Sequence, residues 1–392
     1  MKVCLLGLDN LPVLAPEYCG RTVGGESVQQ TLLTRALARR GHEVCMVTAD
    51  CGQADAGAWD GIRVYKAYRP EAGIPVWRFI HPRWSGTWSA LARADAQLYY
   101  TSCAGMHVAL LALFCARHGR RFIFRAASDA DCDRARLLVR YARDRWLYGW
   151  GVRRADAVLV QSIAQARSLA HHYGLRSRVA GMFVEPARPA GARDIDVLWV
   201  GNIRHVKRPD RVLALAAALP DLQIHMVGGA LPDEHALFQR IRCEAASRAN
   251  LTFHGRLSYQ DTNALYARAR LLVNTSDVEG FPNSYLQAWV RGVPVVTYLD
   301  PDAVIRRNGL GAAVESPPQM CALIRQLLTN PRALARVSSR CRAYVEREFS
   351  EEKVIAPYLG AFEEVMRGEK REANRNRKHS SGIPARTDRH HA

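Results

Sequence analysis

Short apolar runs alternate with longer amphipathic stretches along most of the chain. The apolar runs predict buried strands, and stretches with apolar residues three or four positions apart predict helices that pack on them. In the first half the predicted strands are 2–8, 43–48, 96–100, 121–124 and 157–160, and the predicted helices are 26–40, 104–118 and 163–173. This alternation is typical of βαβ units around a parallel sheet.

The pattern breaks between residues 180 and 194, where two prolines and two glycines indicate a connection. It resumes with predicted strands at 195–200, 223–227, 251–254, 271–275 and 293–297, and predicted helices at 209–218, 232–248, 259–268, 284–291, 331–349 and 351–366. The sequence therefore predicts an α/β protein with two doubly wound, Rossmann-like domains, 1–185 and 186–349. Ile383 is the only large apolar residue after residue 368, which predicts a disordered basic tail over 369–392.

The chain is strongly basic, because 55 Lys and Arg against 37 Asp and Glu give 392 residues a formal charge of +18. This excess favours anionic partners such as phosphates, nucleic acid or an acidic membrane surface. The apolar runs are too short to span a bilayer, and the N-terminal run is too short for a signal peptide. The ten cysteines lack CxxC spacing, so neither a zinc site nor a disulfide framework is expected.

Gly24 and Gly25 lie between the first predicted strand and the first predicted helix. Glycines at a helix N-terminus let backbone amides approach a phosphate, although a tight loop would use the same residues. A second segment follows the strand 195–200, where Gly201 permits a sharp turn. Arg204 and Lys207 come next and could bind a diphosphate or belong to an ordinary solvated loop.

A third segment, Glu279-Gly280-Phe281, follows the strand 271–275 and precedes a helix. Glu279 could bind sugar hydroxyls there, or it could be a simple capping acid. In this order the three segments resemble the retaining glycosyltransferases of the GT-B fold, specifically family 4. The paired glycines resemble the start of that family's first domain, residues 200–207 its strand, turn and Arg/Lys pair, and Glu279-Gly280-Phe281 the opening of its E-x7-E motif.

The resemblance, which covers about residues 1–365, implies two domains facing an interdomain cleft, with helix 350–368 packed back on the first domain. The first domain would bind the acceptor and the second the nucleotide sugar. Catalytic roles are implied for Arg204, Lys207 and Glu279, with the two cations neutralising the leaving diphosphate. Donor-binding roles are implied for Gly24, Gly25, Gly201, Gly280, Phe281 and Gln287. No cofactor is implied.

Two positions depart from the family's pattern. The second acid of the E-x7-E motif falls at Gln287, which lacks the charge that a ribose diol favours. After the strand 121–124 many relatives carry a histidine, whereas here Ser128, Asp129 and Asp131 follow and are candidates to hold the acceptor. Four Asp-x-Asp strings occur at unrelated positions, and the Arg/Lys pair makes a metal unnecessary, so we expect metal independence.

Aromatic and basic residues are interleaved over 70–88 and 134–154, a composition that suits an anionic bilayer surface. A nucleic-acid surface, or a core with a basic rim, would have the same composition. With the resemblance, this favours transfer from a UDP- or GDP-sugar to a lipid-linked or polysaccharide-precursor saccharide in cell-surface polysaccharide biosynthesis. Such an enzyme would be cytoplasmic, either free or peripheral on the inner face of the plasma membrane.

Two other classes of function stay open at this point. One is a nucleotide-sugar epimerase on the same fold, and the other is a non-catalytic protein that binds nucleic acid or nucleotide. The chain has no helix-turn-helix pattern, zinc spacing or RNP-like aromatic run, so we expect no nucleic-acid partner.

Overall fold

Each half of the chain folds around its own sheet, and we call the two halves the first and the second lobe. The computed structural model describes residues 1–18, 24–187, 191–231 and 234–368. The tail predicted over 369–392 and the first two residues of the predicted helix 232–248 lie outside the described residues.

The first sheet is parallel except for one antiparallel pair at its edge. Its strands are β1 (Lys2–Leu6), β2 (Glu43–Thr48), β3 (Gly57–Trp59), β4 (Ile62–Lys66), β5 (Leu98–Ser102), β6 (Arg121–Arg125), β7 (Ala157–Val160) and β8 (Arg178–Val179). They lie in the order β3-β4-β2-β1-β5-β6-β7-β8. The helices of this lobe are α1 (Leu11–Leu14), α2 (Gly25–Arg39), α3 (Ser85–Ala94), α4 (Met106–His118), α5 (Ala142–Val152) and α6 (Ile163–Tyr173).

The second sheet is parallel throughout its paired strands. Its strands are β9 (Ile195–Val200), β10 (Ile224–Val227), β11 (Leu251–Gly255), β12 (Ala269–Asn274), β13 (Val295–Thr297) and β14 (Gly311–Ala313), in the order β11-β10-β9-β12-β13-β14. The helices that follow are α7 (Pro209–Ala218), α8 (His235–Ala246), α9 (Tyr259–Arg268), α10 (Asn283–Trp289), α11 (Val304–Asn308), α12 (Pro317–Leu328), α13 (Pro331–Glu348) and α14 (Glu351–Arg367). The predicted α/β class with two doubly wound sheets is confirmed.

In both sheets the chain first adds strands on one side of the first strand and then adds strands on its other side. The reversal falls between β1 and β5 in the first sheet and between β9 and β12 in the second. In open α/β sheets, ligands bind in the crevice outside the carboxyl ends of the strands at such a point. The topology therefore directs attention to the loops after β1, β9 and β12.

The last helix, α14, follows the second lobe in sequence but packs in the core of the first. Val354, Ile355 and Phe362 are buried in one apolar cluster with residues of β1 and α2. The Tyr358 hydroxyl donates to the Gly181 carbonyl (2.9 Å), and Glu351 accepts hydrogen bonds from Arg39 of α2 and from Arg40, the residue after it. Within the described ranges, no helix has both the length and the apolar character needed to cross a bilayer.

Candidate functional site

A cavity of about 280 Å³ lies between the lobes, where the loops at the two reversal points face each other. The first lobe contributes Gly24, Gly25, Glu26, Val28, Ala127 and Gln161 to its wall. The second lobe contributes residues that include Gly201, Asn202, Lys207, Gly228, Gly229, Arg256, Tyr259, Asn263, Tyr266, Glu279, Gly280, Phe281, Asn283, Ser284 and Gln287. The cavity therefore combines glycine-rich backbone, both signs of charge and several hydroxyl and amide groups.

Lys207 and Glu279, which the sequence analysis assigns to catalysis, are brought together in this cavity. The Lys207 ammonium is hydrogen-bonded to the Glu279 carboxylate, which also accepts from the Ser276 hydroxyl at 2.7 Å. Their side chains are 23% and 13% exposed, so both face the cavity with part of their surface. A cation and a carboxylate held side by side can bind the phosphate and the hydroxyl groups of one ligand.

The two loops that carry this pair are tied to each other through the backbone. The Thr275 hydroxyl donates to the Lys207 carbonyl (2.8 Å), and the buried Trp199 indole donates to the same hydroxyl oxygen (2.9 Å). The Asp277 amide also donates to the Val206 carbonyl at 2.9 Å. Because β9 and β12 are neighbours in the sheet, these bonds fix Lys207 and Glu279 relative to the two strands and to each other.

The loop at Gly280 approaches the first lobe closely. A Cβ at this position would lie 2.8 Å from the Ala127 carbonyl oxygen and 2.3 Å from Gln161 Oε1, so only glycine fits. The next amide, of Phe281, donates to Gln161 Oε1 at 2.7 Å. The Phe281 amide, which the sequence analysis assigns to the donor, is thus engaged by the first lobe in this structure.

Arg204, the third residue assigned to catalysis, is not in the cavity wall formed by the described residues. Ile203 is fully buried and its amide donates to the Gly229 carbonyl (3.0 Å), which pins the turn and leaves Arg204 at the start of the next helical turn. Asn202 lines the cavity instead, next to Gly201. Among the described residues the arginine that lines it is Arg256, which sequence reasoning missed although it lies two residues after the predicted strand 251–254.

Gln287 is 2% exposed and forms a short hydrogen-bond chain at the rear of the cavity. Its amide nitrogen donates to the Tyr259 hydroxyl (3.1 Å), and its carbonyl oxygen accepts from Arg291 Nη1 (3.1 Å). Burial raises the pKa of Tyr259 to about 12 and lowers the pKa of Arg291. The glutamine therefore presents a neutral amide where the family motif has an acid.

The three acceptor-side candidates lie in one turn beside the cavity but do not line it. Ser128 caps this turn by accepting from the Ala130 amide (3.2 Å), and Asp131 accepts from the amides of Ala127 (2.8 Å) and Ser128 (3.1 Å). Burial raises the pKa of Asp131 to about 6 despite these bonds. Asp129 accepts from Gln165 at 3.0 Å.

A buried ion pair supports the first-lobe wall and was also missed. Glu26 lines the cavity at the first turn of α2, and both of its oxygens accept from Arg125 Nη1, at 3.0 and 2.8 Å. Arg125 is fully buried; burial opposes its charge, but Glu26 together with Tyr358 and Tyr100 raises the pKa of the guanidinium above its ordinary value. Arg125 offsets the negative charge of Glu26 beside Gly24 and Gly25, where the sequence predicts an anionic ligand.

The Asp-x-Asp strings have different partners, although burial raises the pKa of Asp129 and Asp302 lies near enough to contribute to this rise. Asp194 and Asp196 pair with Arg268 and Arg270, and Asp302 accepts from the Ile163 amide. Among residues whose placement is described, no group of three or more His, Cys, Asp or Glu side chains is arranged to hold a metal ion.

Comparison with family models gives a match in each lobe. A model described as "Glycosyltransferase Family 4" matches residues 23–188, and one described as "Glycosyl transferases group 1" matches residues 194–330. The boundary between the two matches falls in the connection that was predicted from the prolines and glycines after residue 180.

A curated relative from Corynebacterium glutamicum is 33% identical over 144 residues, which are 34% of this chain and 37% of that protein. It is a GDP-mannose-dependent monoacylated alpha-(1-6)-phosphatidylinositol monomannoside mannosyltransferase. The match thus spans well under half of the relative's length.

Among solved structures, a sucrose-phosphate synthase from Thermosynechococcus elongatus has a TM-score of 0.71 at 17% identity, covering 97% of this chain and 100% of its own. Anabaena HepE in complex with UDP and glucose has a TM-score of 0.69 at 16% identity, covering 92% and 100%. At these identities the two structures show that the fold is shared over nearly the whole chain.

Proposed function

The chain belongs to the group 1 and family 4 glycosyltransferases of the GT-B fold, and from this premise we propose that it transfers a sugar from a nucleotide-sugar donor to a saccharide acceptor. The resemblance drawn from the sequence is thereby confirmed. The observation that carries the proposed activity is the contact between Lys207 and Glu279 in a cavity lined by glycines of both lobes.

In the proposed complex the donor diphosphate lies against Lys207, the backbone at Gly201, and Gly24 and Gly25. Preorganised donors of this kind stabilise the charge that develops on a leaving diphosphate. Arg204 would add a second cation, as the family pattern implies. Glu279 and the backbone at Gly280 would orient the sugar hydroxyls, and Gln287 would face the ribose.

The proposed reaction retains the anomeric configuration and needs no metal. The bond from the anomeric carbon to the diphosphate oxygen breaks while the acceptor oxygen bonds to the same face of that carbon. The proton of the acceptor hydroxyl passes to the departing phosphate oxygen, so no covalent nucleophile is required. Lys207 supplies the positive charge that a metal ion supplies in other folds.

The proposed donor is a UDP- or GDP-sugar. The curated relative is named for GDP-mannose, and HepE was solved with UDP and glucose, so both nucleotides occur among proteins similar to this chain. The proposed acceptor is a lipid-linked saccharide, in keeping with the phosphatidylinositol mannoside in the relative's name. Such an acceptor would place the protein at the cytoplasmic face of a membrane.

A donor screen tests this function. UDP-, GDP- and ADP-sugars are each added to the purified protein, and the one that binds the native state should raise its melting temperature. Release of the nucleoside diphosphate is then measured with a saccharide acceptor, and the product's anomeric configuration is read by NMR. EDTA should leave the rate unchanged.

The matched variants are Lys207→Ala and, as a control, Arg336→Ala, which removes an exposed charge from α13. We expect Lys207→Ala to lower turnover by about 10²- to 10³-fold, the usual loss for one group that stabilises a developing charge. Turnover of Lys207→Ala close to that of the control would contradict the proposed site. Conversion of the donor sugar to its epimer without acceptor would favour the epimerase instead.

A further inference from the structure

Exposed apolar side chains are concentrated on one surface of the first lobe. Of the eleven large hydrophobic residues that are exposed in the described part of the chain, seven lie in the segments 74–80 and 138–146. They are Ile74 (71% exposed), Val76 (87%), Trp77 (66%), Ile80 (56%), Leu138 (53%), Tyr141 (54%) and Trp146 (67%). Single exposed apolar residues are ordinary, but such a cluster marks an interaction surface.

The two segments form one continuous surface. The Arg143 guanidinium lies 3.6 Å from the centroid of the Phe79 ring, which joins the second segment to the first. We call residues 74–80 and 138–146 the aromatic–basic surface. At its tip Val76 has φ 76, a conformation that a β-branched residue rarely adopts, and its side chain points almost wholly into solvent.

The charge of this surface is strongly positive. Its two segments contain four exposed arginines, Arg78, Arg140, Arg143 and Arg145. Their only acid is Asp144, which is paired with Arg143 at 2.8 Å. Exposed apolar side chains beside four arginines and one acid match the chemistry of an anionic lipid interface.

We propose that the aromatic–basic surface inserts into the headgroup region of a bilayer that contains anionic lipids. A second copy of this chain fits less well, because a symmetric contact would bring both sets of arginines together. Nucleic acid fits less well too, because the exposed aliphatic side chains of Ile74, Val76 and Ile80 can neither stack on bases as rings do nor bind phosphate.

Part of the surface lies close to the cavity wall in sequence. Segment 138–146 comes shortly after the turn that carries Ala127 in the cavity wall and Asp129 beside it. This part of the inference rests on the proposed function: a lipid-linked acceptor held in the bilayer would reach the cleft from the side on which the protein docks.

Vesicle sedimentation of the full chain tests the inference. Vesicles of phosphatidylcholine with phosphatidylglycerol are compared with vesicles of phosphatidylcholine alone. We expect binding to the anionic vesicles, and loss of most of it in Val76→Ser/Trp77→Ser. In Arg140→Gln/Arg143→Gln the partition coefficient should fall about fivefold for each arginine removed, since one basic residue near an anionic surface contributes about 1 kcal/mol.

The control variants make the same changes elsewhere: Leu113→Ser, an exposed leucine of α4, and Arg332→Gln/Arg336→Gln on α13. These should bind vesicles like the parent, and all variants should keep the parent's melting temperature. Unchanged vesicle binding in both surface variants would overturn the inference. The inference would also be overturned if the parent does not bind vesicles but forms a dimer or binds single-stranded DNA, and the surface variants lose that property.

Activity on a water-soluble acceptor separates this inference from the proposed function. The surface variants should keep the parent's turnover with such an acceptor, because the aromatic–basic surface does not line the cavity. If the parent transfers no sugar but still binds anionic vesicles through these residues, the proposed function fails and the docking surface stands.

Discussion

At the scale of single residues, two arginines compete for the role of the second cation. Arg256 lines the cavity, whereas Arg204, which the family pattern implies, does not. We predict that Arg256→Ala lowers kcat/KM about 10²-fold, because a charged donor to the diphosphate is lost, and that Arg204→Ala lowers it less. Steady-state kinetics with a saturating acceptor measures both losses.

The exposed Arg336→Ala again serves as the control for removal of a positive charge. If Arg204→Ala proves the more damaging change, the assignment from the sequence holds and Arg256 is not a donor ligand. Equal, large losses in both variants would mean that the two arginines act together on the diphosphate.

Substitution of Gln287 shows how an amide, in place of the acid of the family motif, affects donor binding. In Gln287→Glu, Arg291 at 3.1 Å would stabilise the new carboxylate, and the Tyr259 hydroxyl could donate to it. We predict about five- to tenfold tighter donor binding, since charge-assisted hydrogen bonds to ribose hydroxyls are the stronger ones. Calorimetric titration with the donor checks this value.

Gln287→Leu is the matched comparison, because it leaves both Arg291 and Tyr259 without this partner. It should lower the melting temperature and weaken donor binding. Weaker donor binding by Gln287→Glu would contradict a ribose at this position.

Sequence reasoning selected those residues of the cavity wall that follow strands at the sheet reversal. Gly201, Lys207 and Glu279 all belong to this group, and the rule that ligands bind outside the carboxyl ends of strands is enough to select them. This rule does not predict which residues of the turn after β9 face the cleft. Ile203 sets that orientation, because it is buried and its amide donates to the Gly229 carbonyl. Interactions between distant segments, such as Arg125 with Glu26, leave no local pattern to detect.

At the scale of elements, periodicity located many helices and strands but missed others. One of these is α12, although its buried residues Met320, Ile324 and Leu328 are spaced four apart. The bounds of β2, α6, α7 and α9 agree with the prediction to the residue. The helix α5 was missed, since only Tyr148, Gly151 and Val152 of it are buried and its exposed face carries Trp146 and arginines. That face belongs to the aromatic–basic surface, so the local pattern failed where the residues serve a surface instead of the core.

The turn at Asp129–Cys132 gives a prediction on pH. Burial raises the pKa of Asp131 to about 6 from its ordinary value of 3.8, so the native state binds this proton more tightly than the unfolded chain. The stability gained from the protonated form is present below pH 4 and is lost as the pH rises through 6. The wild type should lose of the order of 3 kcal/mol over this range relative to Asp131→Asn.

Urea unfolding of both proteins between pH 4 and 7 measures this difference. The asparagine of Asp131→Asn keeps one oxygen that accepts from the backbone amides, but it does not titrate. All other titrating groups are the same in both proteins, so the difference between the two isolates the contribution of Asp131. Parallel curves for the two proteins would show that Asp131 has an ordinary pKa in the native state.

At the scale of the whole molecule, the chain crosses between the lobes twice. It enters the second lobe after Phe183, whose amide donates to Gln29 of α2 at 2.7 Å, and α14 returns to the core of the first lobe. Gln29 also donates to Asn283 of α10 at 2.8 Å. The first lobe is therefore complete only when the last helix is in place.

Phe362 of α14 tests this dependence. Its side chain is 0% exposed, and its ring lies 6.4 Å from that of Tyr100 in β5. We predict that Phe362→Ala destabilises the protein by about 3–5 kcal/mol, the usual cost of removing a buried phenylalanine, whereas Glu363→Ala on the exposed face of the same helix changes stability by less than about 0.5 kcal/mol. Hydrogen exchange locates the damage: protection should fall in β1 and β5 more than in β9 and β12, although the substitution follows the second lobe in sequence. Loss of protection in β9 and β12 alone would mean that α14 stabilises the second lobe and that the first lobe's core is independent of it.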